Sequence, residues 1–293
     1  MMETKQRLIF LSLCKNSQDT LPDFLKSLEL LRTSSKFDVY AIFGENGSKD
    51  QTRILLEKQA ASDSWLKIIN TEFMADIPNR LERMAAGREV LRRSLPSSQN
   101  DDVIVVFDSD LQLISELSDE LIKKVLAELN QPSVFAVCAN SMPVYYDILA
   151  TIETYGGYNP AYALSAAKKE AEGPFSLIYN SLLRLTYLSQ VLKSQRRIGT
   201  GTGLRFISAF NGICFYNRAN FESVSYISTE AVCEHVVLNS GLHTKTGGYV
   251  YVSDFLSIQA PAEHTSPILT RIATFLFKKI RFKLINSFQR AQG

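Results

Sequence analysis

The sequence contains few cysteines, and none of them form a pair with metal-site or redox spacing. The four cysteines, Cys14, Cys138, Cys214 and Cys233, lie far apart and make no C-x-x-C motif. Three of them lie in apolar segments, which is typical of reduced, buried thiols in a cytosolic protein. A chain of 293 residues, 45% of them hydrophobic, can bury roughly 75% of its unfolded surface. Its core therefore requires neither disulfides nor a structural metal.

The sequence also lacks a long apolar segment. No uninterrupted run approaches the ~20 residues that a membrane-spanning helix requires. The apolar segment Leu8–Cys14 follows Lys5 and Arg7, but it has no small-residue cleavage site and Lys15 follows it directly. This pattern argues against a secretory signal, and we expect a cytoplasmic protein that does not cross a membrane.

Acidic residues are missing from the last 26 positions. The net charge is +2, yet residues 268–293 carry six basic residues and no acidic one, which leaves 26 basic and 30 acidic residues elsewhere. Apolar residues recur there at every fourth position: Ile268, Ile272, Leu276, Ile280, Leu284 and Phe288. This pattern predicts an amphipathic helix over residues 266–293 that lies on an anionic membrane surface. The alternatives are packing on the body of the protein or on a second copy in a homodimer.

Residues 1–140 alternate between strand and helix patterns. Short apolar segments predict five strands, at Leu8–Leu13, Val39–Phe43, Leu66–Ile69, Val103–Phe107 and Val134–Cys138. Strands separated by helices of this length predict an α/β fold with a mostly parallel sheet and helices on both faces. Ligands bind such sheets at the carboxyl ends of the strands, so we expect the chemistry just after Leu13, Phe43 and Phe107.

The alternation ends after Pro143. Regular structure is predicted again with a strand at Phe206–Tyr216, a helix near Thr229–Ser240 and a strand at Tyr249–Val252. The sequence has no internal repeat and no linker-like segment. We therefore expect one domain over residues 1–265, composed of a half at 1–140 and an elaborated half at 141–265, with the helix at 266–293 following it.

Two aspartates follow the fourth predicted strand in the segment VIVVFDSDLQL. In an extended segment, Asp108 and Asp110 would point the same way, about 7 Å apart, and could bind one cation. Carboxylate oxygens suit Mg²⁺ or Mn²⁺, and Mg²⁺ usually takes one or two carboxylates together with substrate phosphates. The alternative is a solvated turn in which an aspartate caps the next helix.

The turn after the second strand has the sequence Gly44-Glu45-Asn46-Gly47-Ser48. Asn-Gly favours a turn, Ser48 could cap a helix that runs to about Ala60, and the Glu45 carboxylate could accept hydrogen bonds from a ribose or a base. An ordinary turn before a capped helix explains the same residues. The spacing of a P-loop is absent.

The predicted helix at Pro78–Leu95 carries five arginines: Arg80, Arg83, Arg88, Arg92 and Arg93. Arg80 and Arg88 lie about 80° apart around a helix, and guanidinium groups suit phosphate. A solvated charged face is the alternative interpretation.

Histidine is scarce, with three residues in the chain. Glu234 and His235 interrupt an apolar helix, which indicates a polar side chain placed for a purpose. His264 follows the last strand, where it is either a third metal ligand or an ordinary loop residue.

The order of these segments resembles that of nucleotide-sugar glycosyltransferases of the GT-A fold. ENGSKDQT follows the second strand, MAAGREVL precedes the strand that ends in DSD, and an acidic helix comes later. Three further segments, YYDIL at 145–149, SAFNGICFY at 208–216 and CEHVVLNSGLHTKTGGYVYVS at 233–253, resemble the capsule-associated mannosyltransferase-like group and its bacterial relatives. The resemblance extends from Leu8 to His264.

The resemblance implies a GDP- or UDP-hexose donor with Mn²⁺ or Mg²⁺, and it makes residues 1–140 the nucleotide-sugar half and 141–265 the acceptor half. The implied donor contacts are Leu13, Glu45, Asn46, Arg80, Arg88 and Asp108. The implied metal set is Asp108, Asp110 and His264, with Asp110 as the direct ligand and part of the catalytic machinery.

On the acceptor side the resemblance matches Glu234 to the carboxylate of the acidic helix, which is the general base in inverting members; in a retaining enzyme it would orient the substrate instead. The other implied acceptor contacts are Tyr146, Asp147, Asn211, Gly212 and His235. Two positions depart from the group: its G-R-N segment reads Gly87-Arg88-Glu89, and Asn211-Gly212 stands where many relatives have two glycines. Because position 89 is a glutamate, the role of the asparagine in that segment does not carry over to this chain.

The resulting hypothesis is hexose transfer to a glycan or lipid-linked glycan in surface polysaccharide synthesis, at the inner face of the cell membrane. A sugar nucleotidyltransferase is an alternative, although Cys14-Lys15-Asn16-Ser17 is not the Gly-rich loop that such enzymes place after the first strand. A non-catalytic nucleotide- or glycan-binding module is another. Basic residues outside the tail and the arginine helix are scattered, which disfavours nucleic acid as a partner.

Overall fold

The computed structural model describes residues 5–34, 36–62, 64–99, 101–154, 193–199, 201, 203–229 and 232–261. The strands are β1 (Arg7–Cys14), β2 (Asp38–Glu45), β3 (Leu66–Asn70), β4 (Val103–Asp108), β5 (Val134–Met142), β6 (Ile152–Glu153), β7 (Arg205–Ser208), β8 (Ile213–Asn217) and β9 (Tyr249–Gln259). The helices used below are α1 (Leu21–Ser34), α2 (Thr52–Ser62), α3 (Arg80–Arg93), α4 (Asp119–Leu129), α5 (Arg218–Glu222) and α6 (Glu234–Thr246). The predicted tail helix and His264 lie outside the described residues.

The described strands form one sheet in the order β3-β2-β1-β4-β8-β5-β9-β7-β6. Strands β3, β2, β1 and β4 are parallel neighbours. Strand β8 then lies antiparallel between β4 and β5, and β9 pairs in parallel with β5. The predicted α/β class and parallel first half are confirmed, and the second half makes the sheet mixed. The two halves were expected to meet at residue 140, and this position lies inside β5.

Alternate residues of each central strand belong to two separate cores. In β1, Leu8 and Phe10 pack with α1 and α4 on one face, whereas Ile9 and Leu11 pack with α3 and α6 on the other. Side chains of a strand point alternately to opposite faces, so a continuous apolar segment is what a doubly covered strand requires. The predicted helices on both faces are confirmed.

A buried ionic cluster joins β1, β4 and α5 at the amino end of the parallel strands. The Asp102 carboxylate accepts hydrogen bonds from Arg7 Nη2 at 2.6 Å and from Arg218 Nη1 at 2.7 Å. Arg218 is the first residue of α5, directly after β8. The cluster thereby holds β8 beside β4 at the end of the sheet opposite to the predicted site.

Two predicted elements differ from the structure for local reasons. The strand predicted over Phe206–Tyr216 is divided into β7 and β8, because Asn211 and Gly212 adopt φ angles of 55° and 81°, which a strand does not accommodate. The predicted cap at Ser48 is wrong: α2 begins at Thr52, whose N–H donates to Asp50 Oδ1 at 3.0 Å.

Among the described residues, none of the helices has the length and apolar character needed to cross a bilayer.

Candidate active site

A cavity of about 720 Å³ lies at the carboxyl ends of β1 and β4. Its wall consists of the turns that follow β1, β2 and β4, together with the first turns of α3. Side chains after neighbouring parallel strands meet at this edge of the sheet. The cavity therefore lies at the edge of the sheet where the sequence predicted the functional residues.

The two aspartates after β4 line the cavity in a turn conformation. The Leu111 N–H donates to the Asp108 carbonyl oxygen at 3.2 Å, so the segment turns instead of extending. Neither aspartate caps the next helix, because Ser118 is the N-cap of α4. The extended geometry is thus corrected, and the turn of the alternative is present without its helix cap. Asp108 and the exposed Asp110 both line the cavity.

The residue between the aspartates fixes this turn to the loop after β1. Ser109 is buried, its Oγ lies 2.8 Å from Ser17 Oγ, and its carbonyl oxygen accepts a hydrogen bond from Thr20 Oγ1 at 2.8 Å. Buried hydrogen bonds of this kind restrict a turn to one conformation. Asp110 is consequently held at the cavity by its neighbour.

The same loop is also tied to the turn after β2. Asn16 N–H donates to Ser48 Oγ at 3.0 Å, and Lys49 N–H donates to Asn16 Oδ1 at 2.8 Å. Ser17 N–H donates to Thr52 Oγ1 at 2.7 Å. Three turns from three strands therefore form one hydrogen-bonded rim.

Arg88 is buried between two carboxylates. Its Nη2 donates to Asp108 Oδ1 at 2.5 Å, its Nη1 donates to the Phe107 carbonyl oxygen at 3.3 Å, and its Nε lies 3.9 Å from Glu234 Oε1. Burial and the nearby Asp110 and Glu234 raise the pKa of Asp108 to about 6, against the opposing effect of Arg88. Arg88 thus links the aspartate turn to the first residue of α6.

Close packing beneath the cavity requires glycine at position 87. A Cβ there would lie 2.5 Å from Met74 Sδ and 2.9 Å from Leu13 Cδ1. The missing side chain lets α3 approach the end of β1, which brings the neighbouring Arg88 to the cavity.

The predicted donor contacts divide into residues that line the cavity and one that does not. Leu13, Asn46 and Arg80 line it together with Arg88, and Asn46 Oδ1 is buried without a hydrogen-bond partner among the described residues. Lys15 and Arg83 also line the cavity, although neither was predicted as a site residue. Lys15 follows β1 at the predicted edge of the sheet, and Arg83 belongs to the arginine helix.

Glu45 is the exception, and its predicted contact with a nucleotide stays a prediction. Its side chain is fully buried, Oε1 accepts the Ser48 N–H at 2.6 Å, and Oε2 lies 3.6 Å from Arg53 Nε. Glu45 is not part of the cavity wall. The carboxylate stabilises the turn that presents Asn46.

Glu234 and His235 open α6 and are buried. The His235 ring stacks on Phe210 with centroids 3.5 Å apart, and its Nε2 lies 3.5 Å from Glu234 Oε1. Burial, and secondarily the positive charge of Arg88, lower the pKa of His235 well below its usual value. The imidazole is therefore neutral at physiological pH, and it packs beside the Glu234 carboxylate.

The predicted acceptor residues cluster behind Asp108. Asp147 Oδ2 accepts the Asn211 N–H at 3.3 Å, and the Gly212 carbonyl oxygen accepts the Asp108 N–H at 2.8 Å. A Cβ on Gly212 would lie 2.7 Å from Tyr146 Oη. Burial, followed by the charge of Asp108, raises the pKa of Asp147 to about 7. The tyrosine-aspartate pair and the Asn-Gly turn thus form one unit with the aspartate turn.

The donor set fits a hard divalent cation that shares its ligands with a phosphate-bearing substrate. Asp108 and Asp110 supply carboxylate oxygens at the cavity, and Mg²⁺ and Mn²⁺ favour such oxygens with phosphate completing the shell. In the part of the chain that the structure describes, no three histidine, cysteine or acidic side chains group together as a complete protein metal site. The predicted third ligand, His264, is not among the described residues.

No protein-family model matches the chain, and no curated protein matches it. Among solved structures it is similar to glucosyl-3-phosphoglycerate synthase from Mycobacterium tuberculosis, at 14% identity over 91% of this chain and 75% of that one, with a TM-score of 0.48. It is similar to mannosyl-3-phosphoglycerate synthase from Rubrobacter xylanophilus, at 14% identity over 96% and 75%, with a TM-score of 0.48. A mannosyltransferase from Pyrobaculum calidifontis, in complex with GDP-Man and Mn²⁺, gives 12% identity over 88% and 58% and a TM-score of 0.47. These likenesses assign no residue of this chain a role.

Proposed function

We propose that the protein is a metal-dependent glycosyltransferase of the GT-A fold. It transfers a hexose of the mannose, glucose or galactose type from a nucleotide diphosphate sugar to a hydroxyl of a glycan or lipid-linked glycan in surface polysaccharide synthesis. The observation that carries the proposal is the position of Asp108 and Asp110, with Arg88 between Asp108 and Glu234, at a cavity on the carboxyl edge of parallel strands.

In this proposal the donor occupies the cavity with its diphosphate near Asp110. Asn46 offers its unpartnered Oδ1 to a donor group of the nucleotide, and Leu13 supplies an apolar contact. Arg80 and Lys15 on the cavity wall attract the negative charge of the diphosphate. A GDP- or a UDP-hexose satisfies this description.

Asp110 and Asp108 would hold Mn²⁺ or Mg²⁺, with His264 as a further proposed ligand. When bound, the cation neutralises charge that develops on the diphosphate leaving group. Arg88 keeps one Asp108 oxygen in a fixed position through its 2.5 Å hydrogen bond. The carboxylate is thereby oriented before substrate arrives.

Glu234 is the proposed catalytic base. If the anomeric centre is inverted, a carboxylate must accept the proton of the acceptor hydroxyl within hydrogen-bond reach; if it is retained, Glu234 orients the substrate. Tyr146, Asp147 and His235, with Asn211-Gly212, form the proposed acceptor side of the site. Asn211 contributes through its backbone, because its side chain already bonds Ala139 and Ser141.

The test is nucleotide release from a panel of nucleotide sugars, with Mn²⁺ or with chelator. We expect metal-dependent release from one donor, and we expect Asp110→Ala to abolish it. The matched control is Asp38→Ala, an exposed aspartate at the start of β2 and therefore at the opposite end of the sheet. Donor binding without release, with a broad acceptor panel present, would indicate a binding module. Pyrophosphate release from a nucleoside triphosphate and a sugar phosphate would indicate a nucleotidyltransferase.

We also propose that residues 266–293 form a helix that holds residues 1–265, the catalytic domain, on the inner face of the cell membrane. The six basic residues in residues 268–293 support this, since each contributes about 1 kcal/mol near an anionic surface. Truncation before Pro267 should release the protein from anionic liposomes. Unchanged binding would refute the membrane role, and a change from dimer to monomer on truncation would assign the helix to a homodimer.

A further inference from the structure

Glu89 is a buried carboxylate that accepts five hydrogen bonds and has no role in the proposed chemistry. Its exposed fraction is 4%. Three of its donors belong to Arg92 and Arg93 on α3, at 2.7–2.9 Å. The other two are Ser225 Oγ at 3.1 Å and the Tyr226 N–H at 3.2 Å, both bonded to Oε2. Glu89 therefore joins α3 to the segment between α5 and α6.

Tyr226 passes this connection on to α6. Its side chain is 1% exposed, and its ring meets the His235 ring edge-on, with centroids 5.9 Å apart and an interplanar angle of 82°. His235 is stacked on Phe210 from another direction, and its Nε2 lies 3.5 Å from Glu234 Oε1. The position of Tyr226 thus limits where the first turn of α6 can lie.

Adjacent residues of α3 support two sides of the site. Successive helical residues point about 100° apart, so Arg88 reaches Asp108 while Glu89 reaches Tyr226. Arg88 also lies 3.9 Å from Glu234. A single turn of α3 therefore makes both connections. Arg88 bonds the aspartate turn, and Glu89, through Tyr226, supports the helix that carries Glu234.

We propose that Glu89 is a positioning residue for Glu234, acting through Tyr226 and His235. By holding the Tyr226 N–H, Glu89 fixes the Tyr226 ring against His235 and so orients the start of α6. The inference rests on the function proposed for Glu234. The five hydrogen bonds also explain why glutamate stands at position 89 instead of the asparagine of the G-R-N segment. An asparagine there would be shorter and neutral, and it would offer one acceptor oxygen to the five donors.

Glu89→Gln and Glu89→Asn test this inference, with Glu128→Gln as the matched control. Glu128 is also 4% exposed and accepts hydrogen bonds from Ser253 Oγ at 2.6 Å and Asp254 N–H at 3.0 Å. It belongs to α4, on the opposite face of the sheet. Ser225→Ala is the milder second variant, since it removes one of the two loop hydrogen bonds and leaves the buried charge paired.

The first measurement follows the imidazole resonances by two-dimensional ¹H–¹⁵N NMR. The chain has three histidines, and His235→Gln identifies the signals of His235. We expect the His235 signals to shift in Glu89→Gln and in Ser225→Ala, and to stay unchanged in Glu128→Gln. Unchanged His235 signals in a folded Glu89→Gln protein would overturn the proposed link.

The second measurement is Mn²⁺-dependent nucleotide release from the donor that the wild type uses. Misplacing a catalytic group by about 1 Å costs on the order of a hundredfold in rate, so we expect kcat to fall roughly tenfold to a hundredfold while the donor KM stays the same. Equal kcat in Glu89→Gln and wild type would overturn the positioning role. A wild type that releases no nucleotide contradicts the proposed function instead, and the NMR measurement still decides whether Glu89 holds His235.

Discussion

Arg88→Ala removes the buried cation between Asp108 and Glu234. The wild-type guanidinium is 3% exposed, donates to Asp108 at 2.5 Å and lies 3.9 Å from the Glu234 carboxylate. After the substitution, two carboxylates would face each other across the space that the cation occupied. We expect the loss of this one side chain to destabilise the fold even when no substrate is present.

The magnitude follows from the burial of the two partners. Removing one member of a buried ion pair costs about 3–5 kcal/mol. The Asp108 side chain is 32% exposed and can regain water, whereas that of Glu234 is 7% exposed and cannot do so without moving. We therefore expect a loss of about 3 kcal/mol, the lower end of that range. For a chain of 293 residues, the melting temperature should fall by roughly 5 °C.

Urea unfolding at pH 7 in chelator measures this loss without interference from metal binding. Arg88→Lys keeps the charge but lacks the planar fork that reaches two partners, so its free energy of unfolding should lie between those of Arg88→Ala and the wild type. The double variant Arg88→Ala/Asp108→Asn should recover at least about 1.5 kcal/mol relative to the sum of the single changes. A loss below about 1 kcal/mol in Arg88→Ala, or strict additivity in the double variant, would refute the reasoning.

Three further changes test other parts of the site. Burial raises the pKa of Asp147 from 3.8 to about 7, so its contribution to stability is present at pH 4 and is lost as the pH rises through 7. Asp147→Asn should therefore raise the melting temperature at pH 8 and change it little at pH 4. Equal changes in melting temperature at the two pH values would contradict this. Gly87→Ala places a Cβ 2.5 Å from Met74 Sδ and should cost about 1–3 kcal/mol in urea unfolding; adding Met74→Ala should cost less than the sum, and full additivity would argue against the clash. Ser109→Ala deletes the 2.8 Å contact with Ser17 and should lower stability by about 1 kcal/mol and weaken Mn²⁺ binding in calorimetry; unchanged Mn²⁺ affinity would show that Ser109 does not hold Asp110.

The sequence predicted the frame of the sheet because doubly covered strands have a simple signature. The segment Val103–Phe107 is apolar at every position, and all five side chains are buried, alternately in the two cores. The edge at which chemistry was expected follows from that frame, since Asp108 and Asp110 stand directly after a central strand. Both aspartates were found at the cavity for this reason.

The partners of the charged side chains were beyond the reach of sequence patterns. Helical spacing placed Arg80 and Arg88 on one face, yet it could not show that Arg88 is already bonded to Asp108 and close to Glu234. For the same reason the pattern could not show that the Glu45 carboxylate is bonded within its own loop. These contacts depend on how distant segments meet, and each ionic side chain had several partners of suitable charge.

The break in the strand predicted over Phe206–Tyr216 has a different cause. The apolar pattern there is nearly continuous, but Asn211 and Gly212 both adopt positive φ angles. Asn-Gly is a common turn pair, and inside an apolar segment its signal was outweighed by the surrounding side chains. The turn brings Asp147 behind the aspartate turn, through the hydrogen bond from the Asn211 N–H to Asp147 Oδ2.

The position of β8 between β4 and β5 has a consequence for how the protein can be made. Val105 in β4 pairs with Phe215 in β8, more than a hundred residues later in the chain. During synthesis, β4 and β5 leave the ribosome with unpaired edges that wait for a strand from the other half, and such edges invite pairing between chains. A fragment that ends near residue 150 would keep both edges open, so residues 1–150 are not expected to be a soluble unit on their own. The two halves of this protein would have to be inherited, expressed and engineered together.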